Sequence, residues 1–257
     1  MSKLGVDAVG RTSVQSPVTS IEKTRDLAWP GGLAVNTELL KWIGLIAMVA
    51  DHVNMYLFNR SLPALTEIGR LAMPLFAMCL AANLARDSTG AKARWRIGGR
   101  LLVFALASSA VLTLLNNSGP PLNILYTLLL VVGVVSLLEG FEWQRVAVAI
   151  LLFLLASAFV EYRWAGVAVG VSTWFMLTRP PNGLSALLWV LCVTALYGEN
   201  NGVHWALLSL PIFILACAWR VPIGRTKWFF YCFYPVHLAV LAAIRVPIAK
   251  TGYLFIP

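Results

Sequence analysis

Charge is scarce in this sequence. Of its 257 residues, only 12% are Asp, Glu, Lys or Arg, about half of the roughly 25% that soluble domains carry. Together with 59% hydrophobic residues and a mean hydropathy of +0.77, this shortage argues against a soluble enzyme. The net charge of +9 does not indicate nucleic-acid binding, because the basic residues lie between apolar runs and leave no separate binding domain. The four cysteines show no metal-ligand spacing, which argues against a metal site or a disulfide framework.

The sequence also lacks the period-2 alternation of a membrane β-barrel. Its apolar runs are continuous instead, and several approach the roughly 20 residues that a spanning helix needs. The nine runs are 37–58, 63–85, 97–115, 122–139, 145–160, 163–178, 184–198, 203–219 and 228–247. They predict an all-α integral membrane protein, a bundle of about nine transmembrane helices. The short runs 145–160 and 163–178 are also compatible with a tight helical hairpin or a partly re-entrant segment.

The charge pattern predicts the domain organisation and the topology. Residues 1–36 are polar and turn-rich, and they predict a partly disordered tail before a single transmembrane domain over 37–257. Lysine and arginine concentrate in the tail, after the second run and before the last run. These three regions share one side of the membrane if all nine runs span it. We therefore expect a cytoplasmic N-terminus and an external C-terminus.

The first and second runs carry ionisable residues that hydrocarbon penalises by at least ~3 kcal/mol each. The first contains Asp51 and His52, and Asn54 lies one turn from Asp51 on the same face. The second contains Glu67 and Arg70, three residues apart. At ~1.5 Å per residue, Asp51 and Arg70 both lie roughly 10 Å below the outer surface. The depths predict an Asp51–Arg70 ion pair.

Two prolines break the helical hydrogen bonding beside candidate site residues. Pro74 frees the carbonyl four residues before it and predicts a kink in the second helix. Pro235 has the same effect in the last run, next to His237, Tyr231 and Tyr234. His237 lies roughly 15 Å deep, near the middle of the membrane. A neutral imidazole there is suited to act as a general base.

Each of these features also has a structural interpretation. The ion pair is compatible with plain helix packing, and His237 with a hydrogen bond to a neighbouring helix. His52 fits an orienting or packing role as well as that of a second base. His204, beside polar residues of a predicted loop, is interpreted as a solvated surface residue.

Six segments together carry a resemblance to a known family. They are LLKWIGLIAMVADH, IGRLAMPLF, RLLVFAL, NILYTLLLVVG, EYRWAGV and FYPVHL. From about residue 37 to 245 the chain resembles the TraX-like family of conjugation proteins, whose founding activity is the N-acetylation of F pilin. Glu161-Tyr162 departs from the Asp-Tyr expected there. The family is in turn distantly similar to multi-span membrane acyltransferases.

The resemblance implies a pilin-maturation enzyme of a conjugative transfer system in the bacterial inner (cytoplasmic) membrane. Such an acyltransferase would move acetyl from acetyl-CoA to the N-terminal amine of pilin, and no metal is expected. Head-to-tail cyclisation of pilin is the alternative, since it also joins an amine to an acyl group; an intramembrane transporter or a chaperone is a third. The expected partners are the pilin subunit and membrane lipid, without nucleic acid, and a homo-oligomer is compatible with this interpretation.

The candidate residues fall into three groups. The catalytic candidates, with His237 as the first choice of base and His52 as the second, are His237, Asp51, Arg70, His52 and Glu67. Arg70 would polarise the acyl carbonyl. The candidates for binding the acceptor substrate are Tyr234, Tyr231, Asn54, Glu161, Tyr162 and Asn123. The basic candidates for binding the CoA phosphates are Arg94, Arg96, Arg100, Arg225 and Lys227.

Overall fold

The computed structural model describes residues 35–86, 90–116, 122–180, 182–199, 204–219, 222–224, 226 and 228–250. These residues form helices and their connections, without a strand. The α-helices are α1 (Thr37–Leu57), α2 (Pro63–Gly69), α3 (Ala72–Leu84), α4 (Ala91–Asn116), α5 (Ile124–Leu138), α6 (Trp143–Ala156), α7 (Arg163–Thr178), α8 (Gly183–Glu199), α9 (Ser209–Ala218) and α10 (Phe229–Lys250). A 3₁₀-helix, His204–Leu208, precedes α9. Every predicted apolar run is helical, and the predicted tail up to residue 34 lies outside the described residues.

Length and composition make three stretches candidates for membrane spans. They are Pro63–Leu84, Ala91–Leu115 and Phe229–Ile248. The apolar helices Ile124–Leu138, Trp143–Ala156, Gly183–Gly198 and His204–Ala218 are shorter. Large apolar side chains nevertheless cover the outer faces of α6 and α8, where Leu155 and Leu184 are 60% and 66% exposed. Soluble proteins rarely expose contiguous apolar surface of this kind.

The second predicted helix is divided in two. It was expected to run through 63–85 with a kink, but α2 ends at Gly69 and α3 begins at Ala72. The break falls at Arg70 and Leu71 because the ring of Pro74 cannot donate to the carbonyl of Arg70 and crowds it. The interruption therefore lies one turn before the proline.

Helix α3 forms the centre of the bundle and packs against α1 and α7. Its side chains Met73, Leu75 and Met78 are fully buried. Two glycines of α7 allow close approach: a Cβ on Gly170 would lie 2.7 Å from Val131 of α5, and one on Gly166 would lie 2.8 Å from Met73. Small residues four apart are a common means of bringing membrane helices together. This packing holds the connection before α7 against the start of α5.

Contacts between helix ends show that successive apolar runs are antiparallel. At one end, Asn36 donates its backbone N–H to the carbonyl of Ala216 over 2.9 Å, and Arg94 pairs with Glu139. This end, where α1, α4, α6, α8 and α10 begin, is called the basic end. At the opposite end, Arg245 donates to the carbonyl of Tyr56 over 2.6 Å, and α10 is thereby joined to the end of α1.

Candidate functional site

A narrow pocket lies beside the α6–α7 connection, which is at the end of the bundle opposite the basic end. Its walls come from α1, from the break between α2 and α3, from the first residue of α5, from the α6–α7 connection and from α10. The lining residues are Met48, Asp51, His52, Gly69, Ala72, Ile124, Glu161, Tyr162 and Tyr234. The gap between them, counted together with the open space at its mouth, amounts to about 310 Å³. The part that the centre of a water molecule can occupy is only about 20 Å³, which is room for roughly one water. Polar groups from α1, α10 and the α6–α7 connection therefore meet in one place.

Two histidines from distant parts of the chain are joined behind this pocket. His52 Nδ1 and His237 Nε2 are 2.7 Å apart. The two ring planes differ by only 3°, with centroids 5.0 Å apart. This centroid distance is about the nitrogen–nitrogen distance plus the two ring radii, so the rings lie edge to edge in one plane, as an in-plane hydrogen bond requires. The other nitrogen of His237, Nδ1, is 3.0 Å from the carbonyl oxygen of Phe233.

Asp51 lies directly over Gly69. A Cβ on Gly69 would lie 2.4 Å from the Cβ of Asp51, so α1 and α2 approach closely at this point only because residue 69 is glycine. The predicted Asp51–Arg70 ion pair is wrong, because the ion pairs within 4.0 Å among the described residues are Lys41–Glu38 and Arg94–Glu139. Successive helical residues point about 100° apart, and since Gly69 faces Asp51, Arg70 is turned away from direct contact.

Arg70 nevertheless remains close to the pocket. It acts electrostatically on both Asp51 and Glu161. Its Nε is buried without a hydrogen-bond partner among the described atoms. Buried guanidinium donors are normally satisfied, so Arg70 offers a free donor near two carboxylates.

Glu161 and Tyr162 form the pocket wall at the α6–α7 connection. The backbone N–H of Glu161 donates to the carbonyl of Leu122 over 3.0 Å, and the Thr127 hydroxyl donates to the carbonyl of Glu161. Tyr162 adopts a left-handed backbone, with φ +61°, just before α7. Desolvation by the pocket walls raises the pKa of the Glu161 carboxyl to about 7, although the N–H of Ile124 donates to the carboxylate and opposes the shift. The residue as a whole also has accessible surface at the mouth of the pocket.

Apart from Arg70 and His237, which lie beside the pocket, four predicted site residues do not line it. Asn54 is fully buried and bonded to the α1–α2 connection. Asn123 caps α5, accepting from the N–H of Leu125 over 3.0 Å and donating to Ala105 and Ser109. Tyr231 stacks on Phe104, with ring centroids 5.7 Å apart. Glu67 lies on α2, half-buried.

The predicted phosphate-binding residues lie towards the basic end and are not equivalent. Arg94 is buried and paired with Glu139, which makes it a structural link between α4 and the end of α5. Arg96 is exposed. Arg100 lies over the ring of Trp228, 4.6 Å from its centroid. Arg225 and Lys227 lie outside the described residues.

Several residues of the pocket were not predicted from the sequence. Gly69, Ala72 and Ile124 contribute backbone or apolar surface, for which a sequence gives little functional signal. Met48 precedes Asp51 and His52 by three and four residues, and this helical spacing could have indicated it. The carbonyl of Phe233, which contacts His237, could have been anticipated from its position four residues earlier. His204, exposed as expected, belongs to the 3₁₀-helix and stacks on Tyr197 with centroids 4.5 Å apart.

The pocket offers two carboxylates, an imidazole pair and two phenols. Carboxylates suit a positively charged amine, and an imidazole can remove its proton. Among the described residues, no group of three or more His, Cys, Asp or Glu side chains is arranged to hold a metal ion.

Comparison with known proteins gives one family. A family model described as TraX protein matches residues 36–245. This range covers most of the chain and includes the whole pocket. No curated protein and no solved structure matches the chain.

Proposed function

The chain belongs to the TraX family, and from that premise we propose that it transfers acetyl from acetyl-CoA to the N-terminal amine of pilin. The family is one of pilin-related proteins of conjugative transfer and is associated with pilin acetylation in F-pilus systems. The acetyltransferase activity of this chain is our proposal. The observation that carries it is the meeting of Asp51, Glu161 and the His52–His237 pair at one pocket within an apolar bundle.

The proposal includes a membrane location for the whole bundle from residue 37. The nine apolar runs would each cross or enter the bacterial inner membrane, the shorter ones with local thinning. The described basic residues at or near the basic end are Lys41, Arg86, Lys92, Arg94, Arg96, Arg100, Arg145 and Arg179, and those at or towards the other end are Arg60, Arg70, Arg163, Arg245 and Lys250. This asymmetry supports a cytoplasmic basic end. The pocket then opens outwards, where signal peptidase frees the pilin N-terminus.

The pocket charges fit an amine substrate. An ammonium group that enters beside Asp51 and Glu161 would lose its bound water. Charge-assisted hydrogen bonds to the two carboxylates would replace it. The same ammonium must lose a proton before its nitrogen can attack an acyl carbon. His52 lines the pocket and His237 does not, so the geometry favours His52, the second choice from the sequence, as the group that receives this proton.

The transfer step is balanced without a further reactant. His52 first takes one proton from the ammonium and releases it to water at the pocket. The amine nitrogen then forms a bond to the acetyl carbonyl carbon, and its second proton passes to the neutral His52. The carbon–sulfur bond of the thioester breaks, and the leaving thiolate takes this second proton to give the free thiol of CoA, so that one proton is released overall. Arg70, with its unpartnered Nε, is the candidate donor for the developing oxyanion; a preorganised donor of this sort contributes about 3–4 kcal/mol.

In this proposal acetyl-CoA is the donor substrate and approaches from the basic end. Arg96 and Arg100 are the described residues best suited to its phosphates, because Arg94 already pairs with Glu139. The exposed Trp95 beside Arg96, 81% accessible, could lie against the adenine or at the membrane interface.

Arg70 also favours a second candidate, the head-to-tail cyclisation of pilin. A buried guanidinium donor close to an amine-binding pocket suits a peptide carboxylate as well as an oxyanion. Cyclisation would place both ends of one pilin chain in the same pocket, with the amine again at Asp51 and Glu161.

The intact mass of pilin distinguishes these activities. Pilin purified from cells with and without this protein should differ by a gain of about 42 Da if it is acetylated, or by a loss of about 18 Da if it is cyclised by condensation. The proposal predicts the gain, located on the N-terminal residue by fragmentation. An unchanged mass would contradict both reactions and favour a chaperone or a transporter.

A further inference from the structure

The hydrogen-bond directions within the histidine pair assign different roles to the two rings. We infer that His52 accepts the proton of the substrate at Nε2, and that His237 is a positioning residue that holds His52 in the Nδ1–H tautomer. The chemical part of this inference rests on the proposed function. The tautomers themselves follow from geometry alone and can be tested without any substrate.

A backbone carbonyl can only accept a hydrogen bond. The carbonyl oxygen of Phe233 lies 3.0 Å from His237 Nδ1, so that nitrogen carries the hydrogen and donates. A neutral imidazole has one donor and one acceptor nitrogen. His237 Nε2 is therefore an acceptor, with its lone pair in the ring plane.

The acceptor role of His237 Nε2 also determines which ring donates in the hydrogen bond between the two histidines. His52 Nδ1, which lies 2.7 Å from His237 Nε2, must supply the hydrogen between them. The remaining nitrogen of His52, Nε2, then carries a lone pair. No hydrogen bond to His52 Nε2 occurs among the described residues, and the ring lines the pocket. The free base of the pair is thus on the ring that substrate can reach.

Aromatic neighbours hold both rings in this arrangement. Tyr56 and Tyr234 flank His52, with ring centroids 5.9 and 6.0 Å away. His237 stacks on Phe233 at an interplanar angle of 12° and a centroid distance of 5.2 Å. A ring flip at either histidine would place carbon where a hydrogen-bonding nitrogen is needed. The enclosed surroundings also favour the neutral form of both rings before substrate binds.

The arrangement has a consequence for the reaction. When His52 Nε2 takes a proton, the positive charge forms on a ring whose Nδ1–H already points at an acceptor. His237 therefore stabilises the imidazolium without touching the substrate, and the carbonyl of Phe233 orients His237 in turn. In catalytic triads, too, a second group orients the base. Here His237 orients His52, and the carbonyl of Phe233 orients His237.

Nitrogen-15 NMR of the full chain in lipid tests the tautomers directly. The sequence has three histidines, and the exposed His204 lies outside the pocket, so the His204→Gln variant leaves only the pair in the spectrum. We expect both rings to be neutral Nδ1–H tautomers, with a through-bond coupling between His52 Nδ1 and His237 Nε2. An Nε2–H tautomer at either ring would overturn the inference.

Two substitutions at His237 test its positioning role. A Gln side chain at position 237 can place its amide oxygen near the site of Nε2. It thereby keeps a hydrogen-bond acceptor for His52 Nδ1–H but cannot act as a base. A Leu side chain removes the acceptor as well. His237→Leu should lower the rate of pilin modification by about 10–100-fold, the usual effect of losing a group that orients a functional imidazole. His237→Gln should restore most of that loss and keep His52 as the Nδ1–H tautomer. His52→Gln should lose about 10²–10⁴-fold, as for a missing base.

The outcomes separate the inference from the proposed function. If His237→Gln is as inactive as His52→Gln, His237 is itself the base and the assignment is wrong. If His237→Leu modifies pilin at the wild-type rate, the pair has no positioning role. If the wild-type protein modifies no pilin while both tautomers are Nδ1–H, the proposed function fails and the structural assignment stands.

Discussion

Asn54 and Asp51 lie one turn apart on α1, and their surroundings differ completely. The Asn54 latch, formed by Asn54, Leu62 and Thr66, uses every hydrogen-bonding group of the amide. Its Nδ2 donates to the carbonyl of Leu62 over 2.7 Å and to the Thr66 hydroxyl over 2.8 Å, and its Oδ1 accepts from the N–H of Leu62 over 3.1 Å. Asp51 has no ion pair among the described residues and faces the pocket.

The comparison shows how to interpret polar residues in apolar helices. A buried polar group that is fully satisfied within the protein stabilises the fold. A charged group left without a protein partner is costly inside a membrane and is retained for a substrate, an ion or a proton. By this criterion the Asn54 latch belongs to the architecture, and the pocket is the region that we propose to be functional. Four substitutions test the distinction, from the largest expected effect to the smallest.

Asp51→Asn should have the largest effect, and on activity alone. Removing the carboxylate charge takes away a charge-assisted contact to the substrate ammonium, for which we expect a rate loss of about 10²–10³-fold. The free energy of unfolding should stay the same or rise, because Asp51 has no direct ion pair to lose and the cost of burying its charge outweighs the attraction of Arg70 and Arg60. Pilin modification and denaturant titration in detergent, measured on one preparation, check both parts.

The double variant with Arg70→Gln is the control for this prediction. An Asp51–Arg70 pair would make Asp51→Asn destabilising, and the double variant would recover the loss. Destabilisation by the single variant, relieved in the double variant, would contradict the separation of these two residues.

Asn54→Leu should have the opposite pattern. It removes the three hydrogen bonds of the latch from the exposed Leu62 and the partly buried Thr66. Each such bond contributes about 0.5–1.5 kcal/mol, so the free energy of unfolding should fall by about 1–3 kcal/mol. Activity per folded molecule should change little. The matched variant Thr66→Ser keeps the hydroxyl and should preserve stability; a large loss of activity in folded Asn54→Leu would place Asn54 in the functional region.

Gly69→Ala should affect both regions, because residue 69 joins them. The added methyl would lie 2.4 Å from the Cβ of Asp51, and overpacking of this kind costs about 1–3 kcal/mol. Asp51 should also be displaced from the pocket and activity should fall. Gly99→Ala is the matched control, since nothing lies within 4 Å of its Cβ. Equal behaviour of the two variants in thermal unfolding and in pilin modification would show that α1 and α2 are not in close contact.

Arg96→Gln should have the smallest effect. Arg96 is exposed near the basic end, so its contact with a phosphate would be screened and worth about 0.2–1 kcal/mol. We expect a rise of a few-fold in the KM for acetyl-CoA with kcat unchanged. Arg94→Gln should instead lower stability by breaking the link to Glu139. A change in KM from Arg94→Gln and none from Arg96→Gln would reverse these assignments.

The helices could be predicted because apolar runs of spanning length have few alternatives in lipid. The run 37–58 is α1, Thr37–Leu57. The start of α4 at Ala91 was missed because Lys92, Arg94 and Arg96 are polar, although lysine and arginine are good helix formers. The break between α2 and α3 was foreseeable from Pro74, but its position at Arg70 depends on the backbone clash.

The site could be predicted in part for a related reason. Asp51, His52 and Tyr234 were identifiable because polar groups stand out in apolar runs. Their partners were not, since depth along a helix does not fix its rotation about its own axis. The His52–His237 contact joins residues 185 positions apart, and it depends on how α10 packs on α1. The Asp51–Arg70 prediction was wrong for this reason: equal depth suggested a contact that the rotation of α2 prevents.

Transfer of a labelled acetyl group in purified vesicles tests the central claim most directly. Vesicles containing the full chain would receive pilin and acetyl-CoA with a deuterated acetyl group, and the pilin would be analysed by mass spectrometry. The account predicts the label on the N-terminal amine of pilin with the wild-type and Gly99→Ala proteins, and at most a trace with His52→Gln at equal protein content. Equal labelling by His52→Gln, or pilin that remains unlabelled with the wild-type protein, would contradict it.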